Sequence, residues 1–519
     1  MLPGSRSLST ANREASSNPH VGSNRGILFP LLFLLSMDVL SRGIAGLVRS
    51  GKMDKFSSPR LCRPVSHTAF ADDFTIFSSA RRESVSNFAG LLNTFLEASS
   101  LSLNLSKSLV IHGKLTPKAL VRSTKSILSF KRAQLPLMHL GCALDKGRLK
   151  SIHFQPLLEK MARRIASWKN RLLSKGGKKV LINSVLTSMS AYVSAVLQPP
   201  RSIVKSIERL LSRFLWGGND NSARHHWAAW KRIAKPIAGG GMGIRDLASQ
   251  VMAHSAKLWW RLFNVKSPWT DFIRSSYIDN RDGIRISSGD SPGWRRLASF
   301  HLRWKALAAW DDDPGEETRT SALLHRIRSS CCTVNRFEPN RAYIFFNNLL
   351  LPPVQISFKN DLLWHRLIPE KVSIFLWRLH HDALPFPTTL HRIGITLVSK
   401  CPFCNNLDDP DHLFWSCSIS RPIWRWFESK LEISPSTPPF GFAKWWALKP
   451  KISSLAFTIP AYVCWSVWKA WNAATIAGQT ISVNDLFWET QLLLRRAYMT
   501  RNRKDNMLEN YSLSLLALF

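Results

Sequence analysis

The most restrictive feature of this sequence is a set of four side chains near residue 410. Cys401-Pro402-Phe403-Cys404 is followed by His412 and Cys417, giving Cys-x2-Cys-x7-His-x4-Cys. A tight Cys-x2-Cys turn points two thiolates at one ion, and a His with a further Cys completes a tetrahedron. Any fold around this segment must bring two stretches of chain to one point. Zinc held there would lower the thiol pKa values and cross-link the segment. Four protein ligands leave no open position, so the expected role is structural rather than catalytic. The alternative is a set of reduced core or loop cysteines. Eight cysteines in 519 residues are too few for a disulfide scaffold.

Charge sets the second constraint. There are 71 Lys and Arg against 34 Asp and Glu, a formal net charge of +37. Such a surface is drawn to polyanions, above all nucleic acid. The expected partner is RNA or DNA, gripped largely through backbone phosphates. Hydrophobic residues make up 45%, enough for a sizeable core. The longest apolar run, Ile27 to Leu40, falls short of the roughly 20 residues a bilayer needs and is interrupted by Pro30 and Asp38. No membrane partner is expected, and the expected setting is nuclear or cytoplasmic.

Patterning divides the chain into six stretches. Residues 1–24 are a Ser-rich, unpatterned leader whose Arg content and near-absence of acids also fit a transit peptide. Residues 25–110 mix helical and strand patterns. β-formers on both sides of Asp72-Asp73 predict a hairpin, and Phe88, Leu91, Leu92 and Phe95 predict a helix over 84–98. Residues 111–265 are mostly helical, with apolar positions such as Leu157, Met161, Ile165 and Ile203, Ile207, Leu210, Phe214 at helical spacing. Their outward faces carry Lys160, Arg163, Arg164, Lys169, Arg171, Arg201, Lys205 and Arg209, and Gly176-Gly177 and Pro199-Pro200 are expected to separate helices. Residues 266–357 form a variable linker region with an acidic turn at Asp311 to Glu317. Residues 358–430 are an apolar and aromatic block around the Cys/His set, and 431–519 open on a Pro-rich linker and end in a tail of two expected helices after Ile459. All 21 Trp lie from Trp168 onward, which sets the first third apart.

Asp72 and Asp73 stand side by side in Phe70-Ala71-Asp72-Asp73-Phe74. Two adjacent carboxylates repel each other, and exposure or a bound cation relieves the cost. They are either a solvated turn or part of a site that fixes Mg²⁺ for phosphoryl transfer, chemistry that needs clustered carboxylates.

Around them, an ordered series of blocks carries a resemblance. Gly26 to Arg42 is followed by His67-Thr-Ala-Phe-Ala-Asp-Asp-Phe-Thr-Ile-Phe-Ser78, then Asn104-Leu-Ser-Lys107-Ser108 and Leu140-Gly141. Leu181-Ile-Asn-Ser-Val-Leu186, Phe214-Leu-Trp-Gly217, Gly240-Gly-Met-Gly-Ile-Arg245 and Lys257-Leu-Trp-Trp-Arg261 continue it. In order and spacing these resemble the reverse transcriptases of plant non-LTR (LINE-type) retrotransposons. Trp364, Lys371-Val372, Phe375-Leu-Trp-Arg378, Leu384-Pro385, His412-Leu-Phe414 and Trp424 resemble the zinc-binding domain that follows those enzymes. The resemblance implies an α+β fold: a truncated reverse transcriptase palm, then mainly α-helical, thumb-like regions and a small zinc-binding domain. It also implies that Asp72 would ligand catalytic Mg²⁺ with Asp73 as acidic neighbour, while Asn104 and Lys107 serve the palm or touch substrate.

The departures from that family define the functional expectation. A polymerase palm needs another metal-binding Asp on an earlier strand, and this sequence has no Asp before Asp38. The family's Gln-Gly-Asp-Pro segment is replaced by Gly26-Ile27-Leu28-Phe29-Pro30. One carboxylate pair does not rebuild a two-metal site. The expectation is a retrotransposon-derived RNA-directed DNA polymerase fragment that is catalytically incomplete; the alternative is a non-catalytic, zinc-containing nucleic-acid-binding protein. Two glycine motifs are set aside. Gly176-Gly177-Lys178-Lys179 lacks the phosphate-loop spacing, and Gly239 to Gly243 reads as a turn. Trp227, Trp230, Trp259 and Trp260 are candidates for base stacking, with core packing the commoner fate.

Overall fold

Apolar residues recur at three- and four-residue spacing through most of this chain, and helices follow. The structure is a computed structural model that describes residues 25–502, apart from 309–324, 352–362, 431–457 and short stretches at 57, 60–61, 63, 147–148, 169–172, 218–225, 280–282, 288, 326, 334–335, 393 and 396–399. The leader 1–24, the acidic turn 311–317, the linker at 432–440, and Lys169 and Arg171 lie outside the described residues. What is described is mostly helical. Its named strands pair into four two-stranded sheets.

The N-terminal unit begins with α1 (Arg25–Arg49). Met37, Leu40, Ile44 and Val48 line its buried face. The strands β1 (His67–Phe70) and β2 (Asp73–Ile76) form the expected antiparallel hairpin, with Phe70 opposite Asp73. The turn residues are therefore Ala71 and Asp72, one place earlier than the acidic pair itself, and Ala71 takes the left-handed φ of 52° that a tight hairpin turn requires. Next come α2 (Arg82–Ser99), β3 (Leu109–Ile111), α3 (Lys118–Leu128) and β4 (Lys131–Ala133). Strands β3 and β4 pair in parallel across α3. The core joins α1 to Phe74, Ile76, Phe88, Leu92, Phe95 and Phe130. Each such side chain contributes about 2 kcal/mol by leaving water. A Cβ at Gly43 would lie 2.9 Å from Leu91 Cδ1, so the glycine lets α1 sit close to α2.

The helix α1 runs through Pro30, where one backbone hydrogen bond is lost. The expectation that this segment is too short to cross a bilayer is corrected. The apolar run does not stop at Leu40, because Gly43 to Val48 continue the helix. Pro30–Arg49 and Lys175–Val196 are in consequence long and apolar enough to cross a membrane by length and composition. Both also bury residues in the cores described here, Leu40 and Ile44 in the first stretch and Ile182 and Leu186 in the second.

After the hairpin β5 (Leu137–His139) and β6 (Cys142–Leu144) come α4 (Gln155–Ala166), α5 (Lys175–Leu181), a π-helical turn (Ile182–Leu186), α6 (Thr187–Val196) and α7 (Arg201–Trp216). Pro199-Pro200 separates α6 from α7 as expected. Gly176-Gly177 does not separate helices but lies in the first turn of α5, where Ser174 Oγ accepts from Gly177 N–H. A Cβ at Gly176 would come 2.7 Å from Glu370 Cβ. The glycine is there for packing between distant segments.

A short helix α8 (Trp230–Ile233) and the glycine turn lead into α9 (Leu247–Asn264), capped by Asp246. The stretch 266–357 holds more order than a linker: α10 (Pro268–Tyr277), α11 (Pro292–Ala308), the strands β7 (Cys332–Thr333) and β8 (Arg336–Phe337), and α12 (Pro339–Leu350). They pack on α9 around Trp259, Trp294, Phe300 and Phe346. Arg296, 1% exposed, donates to Ser255 Oγ, Ala195 O and Val251 O and ties α11 to α6 and α9.

The largest core crosses the sequence divisions. It combines residues 142–251 with α13 (Glu370–His380), Leu384 and Phe386 just before α14 (Pro387–Arg392), the Cys/His segment, α15 (Arg421–Lys430) and the two expected tail helices, α16 (Ile459–Ala477) and α17 (Val483–Asn502).

Candidate metal centre

Two short devices bring the four ligands together. An isolated bridge between Lys400 and Leu407, with Cys401 N–H donating to Asn406 O at 2.9 Å, closes a knuckle that holds Cys401 and Cys404. A π-helical turn, His412–Ser416, follows. Asp409 Oδ1 accepts from His412 N–H at 2.8 Å, and Cys417 N–H donates to His412 O at 2.8 Å. This wider turn places His412 and Cys417 on the same side, facing the knuckle. Leu413 and Phe414, 0% and 1% exposed, anchor it from below.

The ligand atoms of Cys401, Cys404, His412 and Cys417 all lie within 4.8 Å of one another. Cys401 Sγ is 3.6 Å and Cys404 Sγ 3.8 Å from Cys417 Sγ. Tetrahedral Zn²⁺ with Zn–S bonds of about 2.3 Å requires sulfurs about 3.8 Å apart, so the sulfurs already match. His412 Nε2 is 2.9 Å from Cys404 Sγ and aims inward, while Nδ1 is 3.4 Å from Ser416 Oγ. A hydrogen-bonded second nitrogen is what orients a metal-bound imidazole. Cys417 accepts a hydrogen bond from Cys401, which holds the Cys417 thiol below its ordinary pKa. The same bond, together with burial, pushes Cys401 up. Cys401 and Cys417 are buried and the other two ligands half-buried. Three soft thiolates and one imidazole make a four-ligand set that suits structural zinc. Asp409 and Ser416 were not singled out in the sequence. Asp three residues before His412 is a helix-capping signal that could have identified the first.

The other sequence candidates are placed as follows. Asp72 sits in the hairpin turn and Asp73 opens β2, both half-exposed. Among the described residues, the one group of three or more His, Cys, Asp or Glu close enough to share an ion is the Cys/His cluster; Asp72 and Asp73 belong to no such group. Asn104 is a turn builder, its Oδ1 accepting from Ser106 N–H at 3.1 Å and Lys107 N–H at 3.2 Å. Trp259 is fully buried, and Trp227 and Trp230 pack against the large core. The Gly239–Gly243 segment is a turn with left-handed Gly240 and Gly243. Its Gly240 carbonyl accepts from Trp377 Nε1–H at 2.9 Å and lies 3.0 Å from His381 Nε2.

Basic side chains form an ordered row on α7. Arg201, Lys205, Arg209 and Arg213 recur every fourth residue along α7 and are all exposed. At 1.5 Å per residue their spacing is about 6 Å. Arg213 extends the set foreseen from the sequence.

Comparison with known proteins agrees with the metal centre. Residues 337–424 match the family described as zinc-binding in reverse transcriptase. The match begins within the stretch 266–357 and contains all four ligands. An Arabidopsis thaliana protein named as a ribonuclease H protein is 23% identical over 419 residues, 65% of this chain and 66% of that protein. An uncharacterized 149 kDa protein of transposon TX1 from Xenopus laevis is 28% identical over 194 residues, 36% of this chain and 14% of its own length. The chain thus spans just under two thirds of the first relative and about a seventh of the second. A zinc-type ligand set inside a reverse-transcriptase zinc-binding match, with a transposon protein among the relatives, makes this a retrotransposon-related protein.

Proposed function

We propose that this chain is a reverse transcriptase remnant of plant LINE type that grips nucleic acid through backbone phosphates and does not synthesise DNA alone. The observation that carries the reading is the four-ligand cluster inside the reverse-transcriptase zinc-binding match. The hairpin bearing Asp72 and Asp73 corresponds to the palm tip of that family. In the inherited reaction a primer 3′-hydroxyl attacks the α-phosphate of an incoming nucleotide, the bond to the β-phosphate breaks and pyrophosphate leaves; the Mg²⁺ that would assist needs several carboxylates to hold it. Asp72 with Asp73 supplies one corner of such a site, which supports an incomplete centre. Mg²⁺ is a cofactor only where further carboxylates join it.

Binding needs less. The α7 row with Lys160, Arg163 and Arg164 of α4 is a phosphate-contact surface, and the charge of +37 favours it. A nuclear or cytoplasmic setting fits such a partner. The test is primer extension by the purified full chain with Mg²⁺ or Mn²⁺, beside a binding titration. Salt-sensitive binding without incorporation is expected. Template-dependent synthesis that disappears in Asp72→Ala would overturn the incompleteness, and absence of binding at low salt would overturn the grip.

A further inference from the structure

We infer that the metal centre governs the basic helix α7, so that zinc loading sets the order of a surface nearly 200 residues away in sequence. The two belong to one core: Cys401 and Cys417 share it with Ile203, Ile207, Leu211, Phe214 and Leu215 of α7. A continuous route of packed groups joins them. Phe414, between His412 and Cys417, meets Phe375 of α13 edge-on, with ring centroids 6.0 Å apart. Two residues on, Trp377 is fully buried and donates to the Gly240 carbonyl. Its neighbour Arg378 places its guanidinium 5.7 Å from the ring of Trp216, the last residue of α7, and 5.5 Å from that of Trp227. At the other end of α13, Glu370 takes Lys179 Nζ at 3.2 Å to both carboxylate oxygens and abuts Gly176.

The physical consequence follows from what zinc does. Without the ion, three thiols and an imidazole no longer cross-link the knuckle to the π-turn, and the turn that seats Phe414 loses its constraint. Helix α13 then loses one of the three rings that pack on Phe375, beside Trp465 and Trp468, and the contact of Arg378 with the Trp216 ring at the end of α7 loosens. The N-terminal unit has a separate core, which holds Phe88, Leu92 and Phe95 of α2.

The experiment is hydrogen exchange on the full chain, loaded with one equivalent of Zn²⁺ or stripped with a chelator. Stripping is expected to lower protection of α13 and α7 at least about tenfold, within the range usual for coupled sites, and to leave α2 unchanged. Loss confined to residues 401–417, or equal loss in α2, would overturn the inference. Because stripping itself could unfold the region, Trp377→Phe supplies a second arm. It keeps an aromatic ring and the zinc ligands but loses the bond to Gly240. One zinc per chain with a weakened response of α7 is expected; an unchanged response would refute the route. Only the binding arm rests on the nucleic-acid reading. Zinc-loaded protein that binds a single-stranded oligonucleotide should weaken about tenfold on stripping. Unchanged affinity would sink the coupling and leave the reading intact. Failure of the loaded protein to bind would sink the reading, and exchange would still decide the coupling.

Discussion

Neutralising the α7 row gives the sharpest test of nucleic-acid binding. The perturbation is Arg201→Gln, Lys205→Gln, Arg209→Gln and Arg213→Gln together. All four side chains are exposed, so the core beneath, Ile203, Ile207, Leu211 and Phe214, is untouched. The row spans about 18 Å along the helix, the length of roughly five phosphates on one strand. If each cation neutralises one phosphate, the slope of log K against log salt changes by about 3.6 for duplex DNA and about 2.8 for a single strand. Over a fourfold rise in salt the wild type should then lose roughly 150-fold more duplex affinity than the variant. Folding should move the other way. Three like-charged pairs at four-residue spacing each cost a few tenths of a kcal/mol, so their removal should raise stability by about 1 kcal/mol. Fluorescence anisotropy at several salt concentrations, with urea denaturation alongside, measures both. A variant with the wild-type salt slope would show that the row faces water and nothing else.

Further predictions concern the metal and the core. Metal analysis of the purified chain should give one zinc per molecule, and Cys417→Ala should abolish stoichiometric binding; zinc retained in that variant would remove Cys417 from the ligand set. Gly176→Val should destabilise by about 1–3 kcal/mol, because its Cβ would lie 2.7 Å from Glu370 Cβ, and a neutral result in urea would mean that α5 and α13 are not closely packed. Burial, reinforced by the positive charges of Arg296 and Lys257, pulls His254 down to about 4. An unfolded His protonates near 6.5 while the folded one resists until about 4, so this group makes stability fall as pH falls through that window. Glu208, raised to about 7 chiefly by burial, acts with the opposite sign between about 4.5 and 7. The difference in stability between wild type and His254→Asn should therefore depend on pH between 6.5 and 4, and a flat difference would refute the burial argument.

Much was legible in the sequence because local chemistry decided it. Cys-x2-Cys-x7-His-x4-Cys named the four side chains that the structure brings within 4.8 Å of one another, since the spacing itself limits which side chains can share an ion. β-formers around Asp72 and Asp73 gave the hairpin, and helical spacing gave α2, α4 and α7, because period and turn preference act over a few residues. Gly176-Gly177 misled for the opposite reason: its local preference was overruled by packing, through the approach of Glu370. Residues 266–357 looked irregular because the face that their helices bury is completed by α9. The sequence by itself determined the Cys/His spacing, the positive charge and most helices. Tertiary structure alone decided that the zinc segment and the basic helices share one core, since contacts such as Trp377 to Gly240 join residues whose separation along the chain leaves no periodic trace.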